Sequence, residues 1–126
     1  FGYEADRDVK VREAEVLGAL AGYLAASLPE CDVRSGAPLR DGGHEQVDLL
    51  IQGHNQRVVV ELKLGRITAS RLDMAVLQVQ RYMSLGHVRE GVVFAYGGIE
   101  GPIRRSLATH DQGVIVVVAT PAAKPA

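Results

Sequence analysis

The chain has 126 residues, 47% of them hydrophobic and 23% charged, with a formal net charge of -1. Such a chain is long enough to bury the core of one domain, and its balance excludes disorder, collagen-like repeats and a coiled coil. Its single cysteine, Cys31, excludes an internal disulfide framework and fits a reducing, cytoplasmic compartment; no apolar run nears the roughly 18 residues of a spanning helix, so no membrane partner is expected.

The elements follow in chain order. Residues 4 to 28 carry a helical pattern of Val9, Val16, Leu17, Leu20, Leu24 and Leu28, and Pro29 is expected to end it. At about 100° per residue, Glu13 falls in the centre of that stripe and Glu15 on the solvent side. Residues 31 to 39 read as a strand closed by Pro38 and the turn at Gly42-Gly43. Residues 46 to 52 and 57 to 64, rich in Val, Ile and Leu, flank the turn "GHNQ" and read as a hairpin.

A second long helix is expected in "ITASRLDMAVLQVQRYMSLG", with Thr68 or Ser70 as N-cap and Gly86 as the stop. Its apolar stripe is Leu72, Ala75, Val76, Val79 and Met83, with Gln78 and Tyr82 together on one flank. Then come a strand "GVVFAYGG", a short helix "GPIRRSLATH" and a last strand "GVIVVVAT", whose continuous apolar character predicts burial on both faces. The order α, β, β, β, α, β, α, β implies an α/β fold, a mixed sheet flanked by helices. Residues 1 to 120 are expected to form one domain. The ending in residues 121 to 126, with the start at Phe1, suggests a linker or tail and a piece of a larger protein.

Charge is unevenly spread. Residues 1 to 56 hold five Lys/Arg against ten Asp/Glu, residues 57 to 81 five against two, and residues 82 to 126 four against three. Within the positive block, strand alternation places Val59, Glu61 and Lys63 on one face of "RVVVELKL". Asp48, on the partner strand, can join them. Charges inside apolar runs are costly unless paired or holding a metal. Carboxylates converging from Glu13, Asp48 and Glu61 would be relieved by a hard divalent cation, Mg²⁺ or Mn²⁺. A lysine beside such a cation suits phosphodiester hydrolysis, with Arg57, Arg66, Arg71 and Arg81 placed to hold backbone phosphates.

Asp48, followed by "ELK" at residues 61 to 63 on the next strand, resembles the PD-(D/E)xK nuclease superfamily. The Gln-x-x-x-Tyr spacing of Gln78 and Tyr82 is similar to that of its RecB-type nuclease domains, and Glu13 stands where Holliday-junction resolvases of the superfamily carry a helix-one glutamate. Val47 replaces the proline of the family name. The resemblance implies a restriction endonuclease-like α-β-β-β-α-β core and a Mg²⁺- or Mn²⁺-dependent endonuclease acting on nucleic acid, DNA above all, as a homodimer or within a larger multidomain protein. It further implies Asp48, Glu61 and Lys63 as catalytic residues, with Glu13, Asp48, Glu61 and the carbonyl of Leu62 as metal ligands. Gln78, Tyr82, Arg66 and Arg71 would then bind substrate. Two rivals stand beside it: a catalytically silent module of the same fold that binds nucleic acid or a protein, and a small α/β interaction domain in which the charges merely pair. His44, His54, His87 and His110 show no ligand spacing and read as surface residues.

Overall fold

A computed structural model describes residues 2–39, 43–97 and 113–119 of the chain, and the side chains from residue 12 onward within those ranges, up to residue 118. The elements are α1 (Gly2–Ser27), β1 (Asp32–Pro38), β2 (Gln46–Gln52), β3 (Arg57–Leu64), α2 (Ala69–Gly86), β4 (Glu90–Tyr96) and β5 (Val114–Ala119). The expected short helix at "GPIRRSLATH", the tail at residues 121 to 126, Gly42 of the expected turn and the side chain of Val9 lie outside the described residues.

The fold is α/β. One five-stranded mixed sheet runs in the order β1-β2-β3-β4-β5. The first three strands are antiparallel neighbours, whereas β3, β4 and β5 are parallel. The parallel pair needs a crossover, which α2 supplies. Thr68, in extended backbone, caps α2 by accepting a bond from the Arg71 amide at 3.3 Å. Leu72, Ala75, Val79 and Met83 then turn into the sheet, where they meet Val59, Val93 and Val114. The β4 sequence alternates accordingly, with Gly91, Val93 and Ala95 buried. Gly91 is required by contact: a Cβ there would lie 2.3 Å from a Val79 methyl and 2.8 Å from the Met83 sulfur.

Helix α1 lies on the opposite face. Its Arg12, Glu15 and Val16 share a shallow pocket with Leu64, Tyr96 and Gly97, and alternation directs the side chains of Leu64 and Tyr96 away from α2. The described part of α1 is only lightly buried: Val16, Leu17, Leu20 and Leu24 are half-buried.

Three expectations change. Gly86 is not the left-handed stop; it is the last helical residue, and His87 takes the left-handed conformation (φ 54°) with its amide bonded to the Met83 carbonyl. Gly86 is a glycine because a Cβ would sit 2.7 Å from Leu39. Strand β5 is not buried on both faces among the described residues, since Ile115 and Val117 are 45% and 39% exposed. It is the last strand of the sheet, and only its Val114, Val116 and Val118 pack on the core.

The third change concerns Arg57, expected at a phosphate. Its guanidinium donates to the carbonyls of Gly86 (2.9 Å) and Leu39 (2.8 Å), which ties the end of the β1-β2 hairpin to the C-terminus of α2. Helix-end carbonyls lack intrahelical partners, and a cation there also complements the helix dipole.

Candidate functional site

The β2-β3 ladder pairs Leu49 with Val60 and continues toward Gln52 and Arg57. Toward the other end the two strands separate, because the hairpin bends to bring Leu39 to Gly86. The next β3 amide on that edge, Leu62, would lose its partner. Asp48 replaces it: its Oδ2 accepts from the Leu62 amide at 2.8 Å. The carbonyl of a strand residue leaves on the same side as its amide, so the Leu62 carbonyl is directed to this edge as well.

Continuing the register by one step sets Asp48 across from Glu61. Glu61 is the buried charged residue of the described core, 7% exposed. Burial pushes its carboxyl up to about 7, and the neighbouring Asp48 carboxylate, which shares a hydrogen bond with it, pushes the same way; Lys63 pulls it back. The Lys63 amine stands 3.6 Å from Glu61 Oε1. The two acids and the lysine therefore meet as the strand pattern predicts.

Lys63 opens into a cleft of about 450 Å³ lined by Arg71, Met74, Ala75, Leu77, Gln78, Arg81 and Tyr82. Gln78 donates its amide to the Tyr82 hydroxyl at 2.8 Å, which braces this wall one helical turn apart. Past Lys63 the ends of β3 and β4 are tied together at Gly65 and Gly97. The Gly65 amide bonds the Tyr96 carbonyl at 2.9 Å, and a Cβ on Gly97 (φ 131°) would collide with the Gly65 backbone at 2.8 Å. The site thus lies in the C-terminal half of β3, toward the end of the sheet where sites usually form in open α/β folds.

Glu13 does not join the acids. Its side chain is exposed, as are those of Arg12 and Glu15, and no group of three His, Cys, Asp or Glu able to hold a metal occurs among the described residues. The physical reason is that α1 packs on the other face of the sheet and covers only its later turns: the stripe of Val16, Leu17, Leu20 and Leu24 is half-buried as expected, whereas residues 12 to 15 are all exposed. Arg66 is exposed between β3 and α2 and is not part of the cleft lining. Met74 and Leu77 of the cleft were not identifiable by core periodicity. Their signal was apolar character off the buried stripe, interleaved with Arg71, Gln78 and Arg81.

No protein-family model matches the chain, and no curated protein does. Its fold is similar to the crystal structure of a "Protein of Unknown Function AF1548", with a TM-score of 0.50 and 12% identity over 81% of this chain. The chain spans 58% of the length of that protein. The likeness concerns the fold. No helix of the described residues is long and apolar enough to cross a membrane.

Proposed function

We propose that the chain is a Mg²⁺- or Mn²⁺-dependent nuclease domain that hydrolyses phosphodiester bonds, with DNA as its substrate, on a restriction endonuclease-like core. The observation that carries this reading is the meeting of Asp48 and buried Glu61 with Lys63, which itself lines a cleft shared with Arg71 and Arg81. Two carboxyls brought together, one of them raised to about 7 by burial first and by the other carboxylate second, form a site that a hard cation would relieve. The residues present therefore fit such an ion.

Asp48 and Glu61 would hold it, with the Leu62 carbonyl on the same edge; Glu13 stays outside this set unless α1 moves. When bound, the ion supplies Lewis acidity to a phosphate oxygen and lowers the pKa of a water. Glu61 must give up its proton first, so binding tightens as pH rises through about 7. The Lys63 ammonium, held by Glu61, donates to the attacking water or to a phosphate oxygen as negative charge grows there. Arg71 and Arg81 hold flanking phosphates, and the Gln78-Tyr82 pair keeps the wall of the cleft in place. Arg66 would reach only substrate that extends past the cleft. A cytoplasmic setting, and work as a homodimer or inside a larger protein, belong to the same proposal.

The exposure of Glu13 favours a second reading, a catalytically silent module of the same fold that binds nucleic acid. Supercoiled plasmid incubated with protein in Mg²⁺, in Mn²⁺ and in EDTA separates the two. The nuclease reading expects metal-dependent nicking that falls at least about 100-fold in Lys63→Ala. Identical plasmid in every lane, with wild type and variant alike, refutes it.

A further inference from the structure

The cleft beside Lys63 has a composition that a phosphate-binding surface does not need. Met74 and Leu77 are 68% and 64% exposed, on the wall that also carries Arg71, Gln78 and Arg81. Neither belongs to the hydrophobic core cluster. No Asp or Glu side chain is among the described lining residues. Cations therefore stand at both ends of the wall with apolar surface between them.

Arg71 and Arg81 are ten residues apart on one helix, about 15 Å along its axis, which corresponds to roughly four nucleotides of stacked strand. A volume of about 450 Å³ lies in the range of sites for single small ligands and cannot enclose a duplex. In a duplex the base faces are stacked away, so apolar side chains between the phosphate contacts would meet only sugar edges. In an unpaired strand the bases are free to lie on them.

We infer that this cleft takes a single-stranded stretch of nucleic acid, with Arg71 and Arg81 on phosphates about four nucleotides apart, Lys63 on a third phosphate of the same strand, and Met74 and Leu77 beneath unstacked bases. This rests on the nuclease-fold reading above and adds the form of the substrate. Duplex is engaged only where it is frayed, gapped or unpaired.

The test is fluorescence anisotropy in EDTA, where no cleavage occurs, with a fluorescein-labelled 20-nucleotide thymidine strand and the same strand annealed to its complement. Wild type is expected to bind the single strand about tenfold more tightly. Met74→Ser/Leu77→Ser, both exposed positions, should lose most of that preference and leave duplex binding unchanged. Three phosphate contacts predict a slope of log K against log salt of about -2 on the single strand, and Arg81→Gln should reduce it by about 0.7. Equal affinity for the two forms, or an equal loss on both in the double variant, overturns the inference. The plasmid assay keeps the two proposals apart: cleavage confined to intact duplex leaves the nuclease reading standing and sinks this one, whereas single-strand preference without metal-dependent cleavage does the reverse.

Discussion

Glu61 is the residue at which stability and chemistry conflict, and Glu61→Gln measures the conflict. In the unfolded chain its carboxyl titrates near 4.5; in the folded protein burial and Asp48 raise it to about 7. A group raised on folding binds more protons in the native state, so stability is greatest below about pH 4.5 as far as this residue is concerned and declines as pH rises to about 7. A shift of this size corresponds to about 3 kcal/mol at most, and water entering from the cleft screens it to about 2 kcal/mol. Glutamine keeps the shape, carries no charge, and offers its amide to Asp48. The expected result at pH 8 is a variant more stable than wild type by about 2 kcal/mol, or roughly 6 to 10 °C in melting temperature. At pH 4 the two should melt together. Urea unfolding at half-unit steps from pH 4 to 8.5 reads this directly. On the proposed function, millimolar Mg²⁺ at pH 8 should close or invert the order, because an ion held by Glu61 would stabilise wild type and not the variant. A Glu61→Gln protein less stable than wild type at pH 8, or one with the same pH profile, would refute the assignment of Glu61 as a strained buried acid.

Other substitutions test other parts of the structure. Gly91→Ala should cost about 1 to 3 kcal/mol in urea unfolding, since the new methyl meets Val79 and Met83 in the middle of the core. Arg57→Ala should cost a similar amount by leaving the carbonyls of Gly86 and Leu39 without their donor, and amide hydrogen exchange should locate the loss at the β1-β2 hairpin and the end of α2. His87→Gly should raise stability by about 0.5 to 1 kcal/mol, because a glycine adopts the left-handed conformation there without steric cost. Asp48→Ala should destabilise by orphaning the Leu62 amide, while Asp48→Asn, which keeps an acceptor oxygen, should preserve the fold.

What could be read from the sequence was whatever local pattern fixes. The bounds of β2 and β3 came out as expected because the two apolar runs are separated by a polar turn, and Glu61 and Lys63 share a face because strand side chains alternate. Thr68 was recognisable as a cap from its hydroxyl three residues before an amide that needs an acceptor. The failures all involve distant residues. Whether Gly86 ends a helix or accommodates a neighbour depends on Leu39, nearly fifty residues away, and the role of Arg57 depends on carbonyls 18 and 29 positions distant. The expectation for Glu13 failed for a related reason. Periodicity places Glu13 on the same stripe as Val16, Leu17, Leu20 and Leu24, which are half-buried, but how far along the helix that stripe stays covered depends on the sheet, and residues 12 to 15 are exposed. An unbroken apolar run such as β5 likewise cannot reveal that its strand ends the sheet.

The bend of the β1-β2 hairpin joins these observations to the chemistry. If β2 followed β3 to its end, the Leu62 amide would bond to backbone and Asp48 would be free to turn to solvent. The hairpin instead departs after Leu49, and Asp48 must lie along the strand to satisfy that amide. Doing so fixes its carboxylate beside Glu61, where it raises the proton affinity of a buried acid. The same departure leaves the Leu62 carbonyl facing the acids instead of a neighbouring strand. One departure from regular pairing thus produces two adjoining carboxyls and an oxygen donor next to an amine, with the tie at Arg57 holding the bend closed from the far end of the sheet.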